Sequence, residues 1–247
     1  MLTPAGTMET AEQLLLNVRP REYIRLSDFA GAAFAPVLAA LEGVLAQEQA
    51  RCYLWSGPES GRRELLTALC GEAEVRGLSS VLLPLSEVLS FPSEMLQGLE
   101  QTDLLVLDRI EAVAGNAEWE EGLFHLYNRL QESQTRLVLG AAGPVRELGI
   151  RLPDLVSRWQ QASVYGLPLP DDAIRSQLLQ AGVTRRGLVL EPEVERYLVE
   201  RGPRPLGAFL DCLERLDRLS LRDQRRLTIP FVREVLSGLR ADKALIS

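Results

Sequence analysis

A glycine-rich turn is the first candidate for chemistry in this sequence. It reads Ser56-Gly57-Pro58-Glu59-Ser60-Gly61-Arg62-Arg63, and it separates a strand-like stretch from a helical one. In the pattern G-x-x-x-x-G-K-[ST], the backbone N–H groups of such a turn and the N-terminus of the next helix hold phosphate groups. Only Gly61 matches this pattern outright, and Gly57 is one place late. The turn therefore predicts a phosphate-binding loop with altered chemistry.

Two arginines in this turn oppose the hydrolysis of a nucleoside triphosphate. Arg62 replaces the lysine that would reach the terminal phosphates, and Arg63 replaces the hydroxyl that would ligate Mg²⁺. Positive charge at these places repels a metal ion. A guanidinium can still contact phosphate, so binding of ADP through Arg62 stays open. The alternative is a loop kept only for its shape.

Later segments carry further departures from a hydrolytic site. Asp108 ends an apolar strand, where a metal-linked carboxylate is expected, but Arg109 follows where a second acid would activate water. Glu111 is nearby, and we expect it to lie on a different face. The next strand runs into Gly140-Ala141-Ala142-Gly143, so Ala142 offers no polar group to orient a water. We predict that the chain does not hydrolyse ATP itself.

An alternation of strands and helices must position these residues. Apolar stretches with helical spacing separate the strands as far as residue 168, and beyond it the pattern is entirely helical. This alternation predicts an α/β fold with a doubly wound parallel five-stranded sheet and a small C-terminal helical domain. We divide the chain into a tail at 1–22, a base domain at 23–168 and a helical domain at 169–247. The predicted strands are Arg51–Trp55, Ser79–Pro84, Thr102–Asp108, Thr135–Gly140 and Ala162–Gly166.

Composition excludes several classes of function. Apolar residues make up 46% of the 247 residues and charged residues 25%, as in an ordinary globular protein, and the net charge of −7 argues against a broad DNA-binding surface. The sequence has neither a signal-peptide pattern nor an apolar run long enough for a membrane helix, so we expect a cytoplasmic protein without membrane contact. Cys52, Cys70 and Cys212 match no metal-binding spacing and are expected to be buried.

Five short motifs, in this order, resemble the DnaA/Hda family of AAA+ proteins. The resemblance implies an AAA+ P-loop fold with a helical lid domain at the C-terminus. It extends from about residue 23 to residue 240 and implies a role in the control of replication initiation. The motifs are Tyr53-Leu54-Trp55, Gly61-Arg62, Leu126-Tyr127-Asn128-Arg129-Leu130, Leu152-Pro153-Asp154-Leu155-Val156-Ser157-Arg158 and Arg226-Leu227-Thr228-Ile229-Pro230-Phe231-Val232.

The resemblance implies two partners, DnaA and the sliding clamp (the beta subunit) of the replicase. Members of the Hda type bind the DNA-loaded clamp through an N-terminal peptide and then stimulate ATP hydrolysis by DnaA, which inhibits re-initiation. Gln13, Leu14 and Leu16 stand where that peptide belongs, although Leu15 departs from its usual residues. Glutamine can bond at a pocket rim while leucines fill an apolar groove. Packing of an apolar tail is the alternative.

Arg158 matches the arginine finger of the family. Such a side chain stabilises charge that develops on a phosphate held by a neighbouring subunit. The alternative is an ion pair with Asp154, four residues earlier on the same helix face. The lid arginine that senses nucleotide in the family falls at Gly207, with Arg204 three residues away. The resemblance thus assigns a degenerate nucleotide site to Gly57, Gly61, Arg62 and Asp108, and no required cofactor or metal.

Three functions remain open from the sequence. The first is a non-hydrolysing regulator that docks on the clamp and activates hydrolysis by DnaA through Arg158. The second is a DnaA-like adaptor that recruits another replication protein without altering the nucleotide state of DnaA, and the third is a weak AAA+ ATPase. The chain ends at Ser247 after lid-like helices, so we expect no direct sequence-specific DNA binding. AAA+ modules often stack head to tail, which leaves a homo-oligomer open.

Overall fold

A parallel five-stranded sheet forms the centre of the molecule. The computed structural model describes residues 24–244, with side chains as far as residue 238, so Gln13, Leu14 and Leu16 lie outside the described residues. The strand order is β2-β3-β4-β1-β5, and all neighbours run parallel. The predicted fold class is confirmed. The strands are β1 Arg51–Trp55, β2 Ser80–Pro84, β3 Leu104–Asp108, β4 Arg136–Ala141 and β5 Ser163–Gly166.

Helices cover both faces of this sheet. Alternate strand residues point to opposite faces, so Tyr53 packs on one side and Leu54 on the other. The helices α4 and α5 cover the Tyr53 face, while α1 and α2 cover the Leu54 face. Both faces of β3 are buried, as its unbroken apolar sequence predicts. These helices are α1 Ala35–Leu45, α2 Arg62–Val75, α3 Leu85–Val88, α4 Ala117–Glu132 and α5 Pro153–Trp159.

The C-terminal part is helical, as expected. Asp171 caps its first helix, with one carboxylate oxygen accepting from the Ile174 N–H at 2.8 Å. The lid helices join the apolar cluster on the Leu54 face of the sheet, so one core runs from base to lid. The predicted boundary at residues 168–169 lies between β5 and the first of these helices. They are α6 Asp172–Arg185, α7 Pro192–Arg201, α8 Leu206–Asp223 and α9 Ile229–Ala244.

Short 3₁₀ turns connect several of the larger elements. Two of them follow the carboxyl ends of β3 and β4 and shape the loops at that edge of the sheet. The turns are Leu26–Phe29, Ser93–Leu96, Leu99–Gln101, Ile110–Val113 and Val145–Glu147.

The cysteines are structural side chains. Cys52, Cys70 and Cys212 are buried free thiols, and burial raises the pKa of Cys52 to about 12. Between residues 24 and 244, no helix is long and apolar enough to cross a membrane. In the same part of the chain, no three His, Cys, Asp or Glu side chains are grouped so that they could hold a metal ion.

Candidate functional site

The glycine-rich turn lies at the carboxyl edge of the sheet, between β1 and α2. A parallel sheet brings the loops after its strands together at this edge, so residues after β1, β3 and β4 meet here. They form a cleft of about 300 Å³, closed on one side by the start of α8. Its lining includes Ser56, Gly57, Pro58, Ser60, Gly61, Arg62, Arg63, Glu64, Asp108, Arg109, Glu111, Ala142, Pro205, Gly207 and Ala208.

An ion pair between Arg62 and Asp108 lies at the base of this cleft. The Arg62 Nε donates to Oδ1 of Asp108 at 2.8 Å, and only 12% and 2% of the two side chains are exposed. The Arg62 Nη1 also donates to the Ala141 carbonyl and lies 3.3 Å from Oγ of Ser56. The guanidinium that could have contacted phosphate is therefore bonded to the carboxylate expected to serve a metal.

Gly140 provides the space for this ion pair. A Cβ at Gly140 would lie 2.4 Å from Oδ1 of Asp108 and 3.2 Å from Nε of Arg62. From the sequence alone, Arg62 and the lack of polar side chains at the end of β4 are separate departures from a hydrolytic site. The structure links Arg62 to Gly140, because the missing side chain at Gly140 makes room for the guanidinium.

The other charged residues around the cleft point to different partners. Arg63 lines the cleft, but its guanidinium pairs with Glu87 at 2.7 Å on the surface. Arg109 is exposed and begins a 3₁₀ turn in the left-handed region. The expectation that Glu111 lies on a different face is wrong, because this turn brings it back to the cleft. Its Oε2 accepts from the Ala142 N–H at 3.1 Å.

The lid contributes uncharged residues to the cleft. Its lining residues there are Pro205, Gly207 and Ala208. Gly207 lies against Glu64 of α2, where an added Cβ would be 2.5 Å from Oε1. Arg204 instead contacts Asp172 at 3.3 Å on the surface. Where the family resemblance placed a nucleotide-sensing arginine, the structure has a close contact between the base and the lid.

These residues do not fit a Mg²⁺–nucleoside triphosphate. Asp108 already has a cationic partner in its own chain, and no hydroxyl stands at Arg63 to ligate a metal. Arg62 crosses the base of the cleft from Asp108 to the carbonyl of Ala141. The site has the shape of a phosphate-binding loop, but the Arg62–Asp108 ion pair lies where a metal ion and the terminal phosphates would bind.

Arg158 lies at the opposite edge of the sheet from the glycine-rich turn, where the strands begin. It is near the end of α5, and its guanidinium carbon is 5.9 Å from the centroid of the Tyr127 ring. Arg51, the first residue of β1, contacts the same ring. Since β1 has five residues, this edge is about 17 Å from the glycine-rich turn. Arg158 is thus remote from the phosphate-binding loop of its own chain.

The alternative partner of Arg158 is not in contact with it. Among the described residues, Asp154 and Arg158 form no ion pair, although both lie on α5. The Arg158 side chain is only partly exposed, and Asp154 is exposed. The interpretation of Arg158 as one half of a helical ion pair is therefore wrong.

Comparison with known proteins agrees with this architecture. Residues 171–236 match the family model of the Hda lid domain. Domain III of the replication initiation protein DnaA from Thermotoga maritima has a TM-score of 0.72 and 18% identity, and the match covers 88% of this chain and 97% of that one. AMPPCP-bound DnaA from Aquifex aeolicus gives a TM-score of 0.61 and 20% identity, over 81% of this chain and 67% of that one.

The same fold occurs in a motor protein. The RuvB Holliday junction branch migration motor of Thermotoga maritima has a TM-score of 0.64 and 16% identity, over 90% of this chain and 73% of that one. At these identities the structural matches show the fold alone, and the match to the lid model rests on the sequence of residues 171–236. The chain thus has the fold of DnaA domain III, and its C-terminal helices match the Hda lid domain.

Proposed function

We propose that this chain regulates replication initiation by acting on DnaA. It docks on the DNA-loaded sliding clamp and stimulates ATP hydrolysis by DnaA through Arg158, while its own nucleotide site stays inactive. DnaA returns to its inactive ADP form, and re-initiation is inhibited. The chain is an activator of a partner ATPase in the cytoplasm, and it requires no nucleotide or metal of its own.

The position of Arg158 carries this proposal. A guanidinium at the edge opposite to the phosphate-binding loop cannot reach a nucleotide in its own chain, whereas a neighbour stacked on that edge could present one. Arg158 has no carboxylate partner among the described residues, so its charge is available to an incoming phosphate. Charge stabilisation by such an arginine is worth about 10³–10⁵ in rate in phosphoryl transfer.

The residues of the nucleotide cleft also support action on a partner's nucleotide. Arg62 is bonded to Asp108, and the two arginines Arg63 and Arg109 stand where metal-assisted hydrolysis needs a hydroxyl and an acid. A weak ATPase would have to break a buried ion pair before a metal could bind. This favours action on the nucleotide of a partner over turnover in the chain itself.

Clamp docking rests on the sequence of the tail. Gln13, Leu14 and Leu16 combine one hydrogen-bonding side chain with two apolar ones at the spacing of a short peptide that binds in a groove. Leu15 has no assigned contact in this arrangement. The tail and Arg158 therefore serve separate steps, clamp binding and activation.

One reconstituted experiment tests both steps. ATP-bound DnaA is mixed with clamp-loaded DNA and the chain, and phosphate release is measured alongside binding to the clamp. Arg158→Ala is expected to keep clamp binding and to lose at least about 100-fold of the stimulated rate. Gln13→Ala, Leu14→Ala and Leu16→Ala are expected to weaken clamp binding, with Leu15→Ala as the matched control.

The outcomes separate the competing functions. Full stimulation by Arg158→Ala would overturn the proposal. Clamp binding with no effect on the nucleotide of DnaA would favour an adaptor that recruits another replication protein. Phosphate release by the chain alone, lost in Asp108→Asn, would indicate a weak ATPase. Analytical ultracentrifugation of the chain alone tests a homo-oligomer.

A further inference from the structure

Two arginines share one aromatic ring at the sheet edge that carries Arg158. The guanidinium carbon of Arg51 lies 4.6 Å from the centroid of the Tyr127 ring, and that of Arg158 lies 5.9 Å from it. The three residues come from β1, α4 and α5, so three separate elements converge here. The resemblance to the family singled out Arg158 alone.

In the cluster of Arg51, Tyr127 and Arg158, some hydrogen-bond donors have no acceptor between residues 24 and 244. Neither guanidinium lies within 4.0 Å of a carboxylate of the described residues. The Arg51 Nε and the Tyr127 hydroxyl are both buried and have no hydrogen-bond partner in the described part of the chain. Buried polar groups are normally paired, because an unpaired one costs about 1–3 kcal/mol.

The charges in the cluster are all of one sign. Burial raises the pKa of Tyr127, although the nearby charges of Arg51 and Arg158 act to lower it. The phenol therefore keeps its proton at neutral pH and remains a donor. Contact with the ring face offsets part of the cost of holding two cations together. An anion with several acceptor oxygens would offset the rest.

We propose that Arg51 and Arg158 together form a phosphate site for the nucleotide of the partner, with Tyr127 holding both guanidiniums in place. This inference rests on the proposed function and adds a second guanidinium to it. Two planar forks can bond several oxygens of adjacent phosphates, which a single arginine cannot do. Arg51 contacts the phosphate, and Tyr127 is a positioning residue.

The backbone of Arg51 is well placed for this role. It pairs with Leu137 in the sheet, so the start of the side chain is fixed by strand hydrogen bonds. By strand alternation it shares the sheet face of Tyr53, which is the face covered by α4 and α5. Pre-organised donors cost little reorganisation when charge develops on the phosphate.

Arg136 provides a matched control at the same edge. It is the first residue of β4, next to β1, but alternation places it on the opposite face. Its terminal nitrogens already have partners, the Asp103 carbonyl at 3.3 Å and Oε1 of Gln47 at 3.4 Å. Removing Arg136 therefore changes the charge of the edge without changing the proposed site.

The test is the same stimulated hydrolysis assay, run over a range of chain concentrations. We expect Arg51→Met, which keeps an unbranched apolar stem over Tyr127, to lower the maximal rate by about tenfold or more at unchanged clamp binding. Arg51→Lys should recover little, because an ammonium lacks the planar fork. Arg136→Met should behave as the unmodified chain.

The results distinguish this inference from the proposal on which it rests. If Arg158→Ala is inactive while Arg51→Met and Arg136→Met give the same stimulated rate, a role of Arg51 in the phosphate site is refuted. The proposed function then stands. If Arg51→Lys restores the full rate, general charge explains the effect and the phosphate contact is refuted. If Arg158→Ala stimulates fully, both proposals fall. Thermal unfolding of each variant identifies any loss of rate that comes from misfolding.

Discussion

At the scale of single residues, burial explains why Arg62 matters. Asp108 is 2% exposed, and a carboxylate that deep needs a cation or several donors to remain charged. In a hydrolysing site, metal chemistry provides much of that compensation. Here Arg62 provides it from within the chain. The arginine that stands where the pattern has a phosphate-contacting lysine thus pairs the buried acid from within the chain.

Removing this guanidinium should destabilise the fold. We expect Arg62→Ala to lower the free energy of unfolding by about 3 kcal/mol, because it leaves the Asp108 charge buried without a partner. Urea titration followed by circular dichroism measures the change. The double variant Arg62→Met with Asp108→Leu removes both charges and should recover more than half of the loss. If Arg62→Ala were as stable as the unmodified chain, a structural role for the Arg62–Asp108 ion pair would be contradicted.

At the scale of elements, the glycine-rich turn joins the base to the lid. Gly61 begins α2 with φ of 78°, a conformation that disfavours any other residue, and Leu206 at the start of α8 packs directly against it. An added Cβ would be 2.3 Å from Cδ2 of Leu206. The glycine therefore serves the fold through its contact with the lid, whatever the loop binds.

A pair of alanine substitutions in this one turn tests the contact. Gly61→Ala should cost about 2 kcal/mol, through strain at positive φ and overlap with Leu206. That corresponds to a melting temperature lower by about 4–8 °C for a chain of this size. Gly57→Ala is the control, since no atom lies within 4 Å of a Cβ there. Equal melting temperatures for the two variants would refute the contact.

The elements themselves were largely predictable, because apolar periodicity reports them locally. All five strands lie within two residues of their predicted bounds. Contacts between distant residues were not predictable in the same way. The fit of Arg62 into the space left by Gly140 depends on the neighbouring positions of β3 and β4. The position of Glu111 was not predictable from the spacing, because a 3₁₀ turn after β3 brings its carboxylate to the cleft.

At the scale of the whole molecule, side chains of the lid pack directly against the base. Leu206 packs on Gly61, Gly207 lies against Glu64, and one apolar cluster continues from the sheet into the lid helices. Burial of apolar surface is the main favourable term in folding, so this shared core stabilises the arrangement directly.

The melting temperature of the chain should be insensitive to added ATP or ADP. A ligand present at a hundred times its Kd stabilises the folded state by about 2.7 kcal/mol, which would raise the melting temperature by about 5–10 °C in a chain of this size. We expect Mg-ATP and Mg-ADP at millimolar concentration to raise it by less than about 1 °C, because Arg62 already neutralises Asp108 and blocks the base of the cleft. Thermal scanning with DnaA as the positive control measures this. A rise of several degrees with ADP would contradict it, and would mean that the cleft binds a nucleotide despite the ion pair.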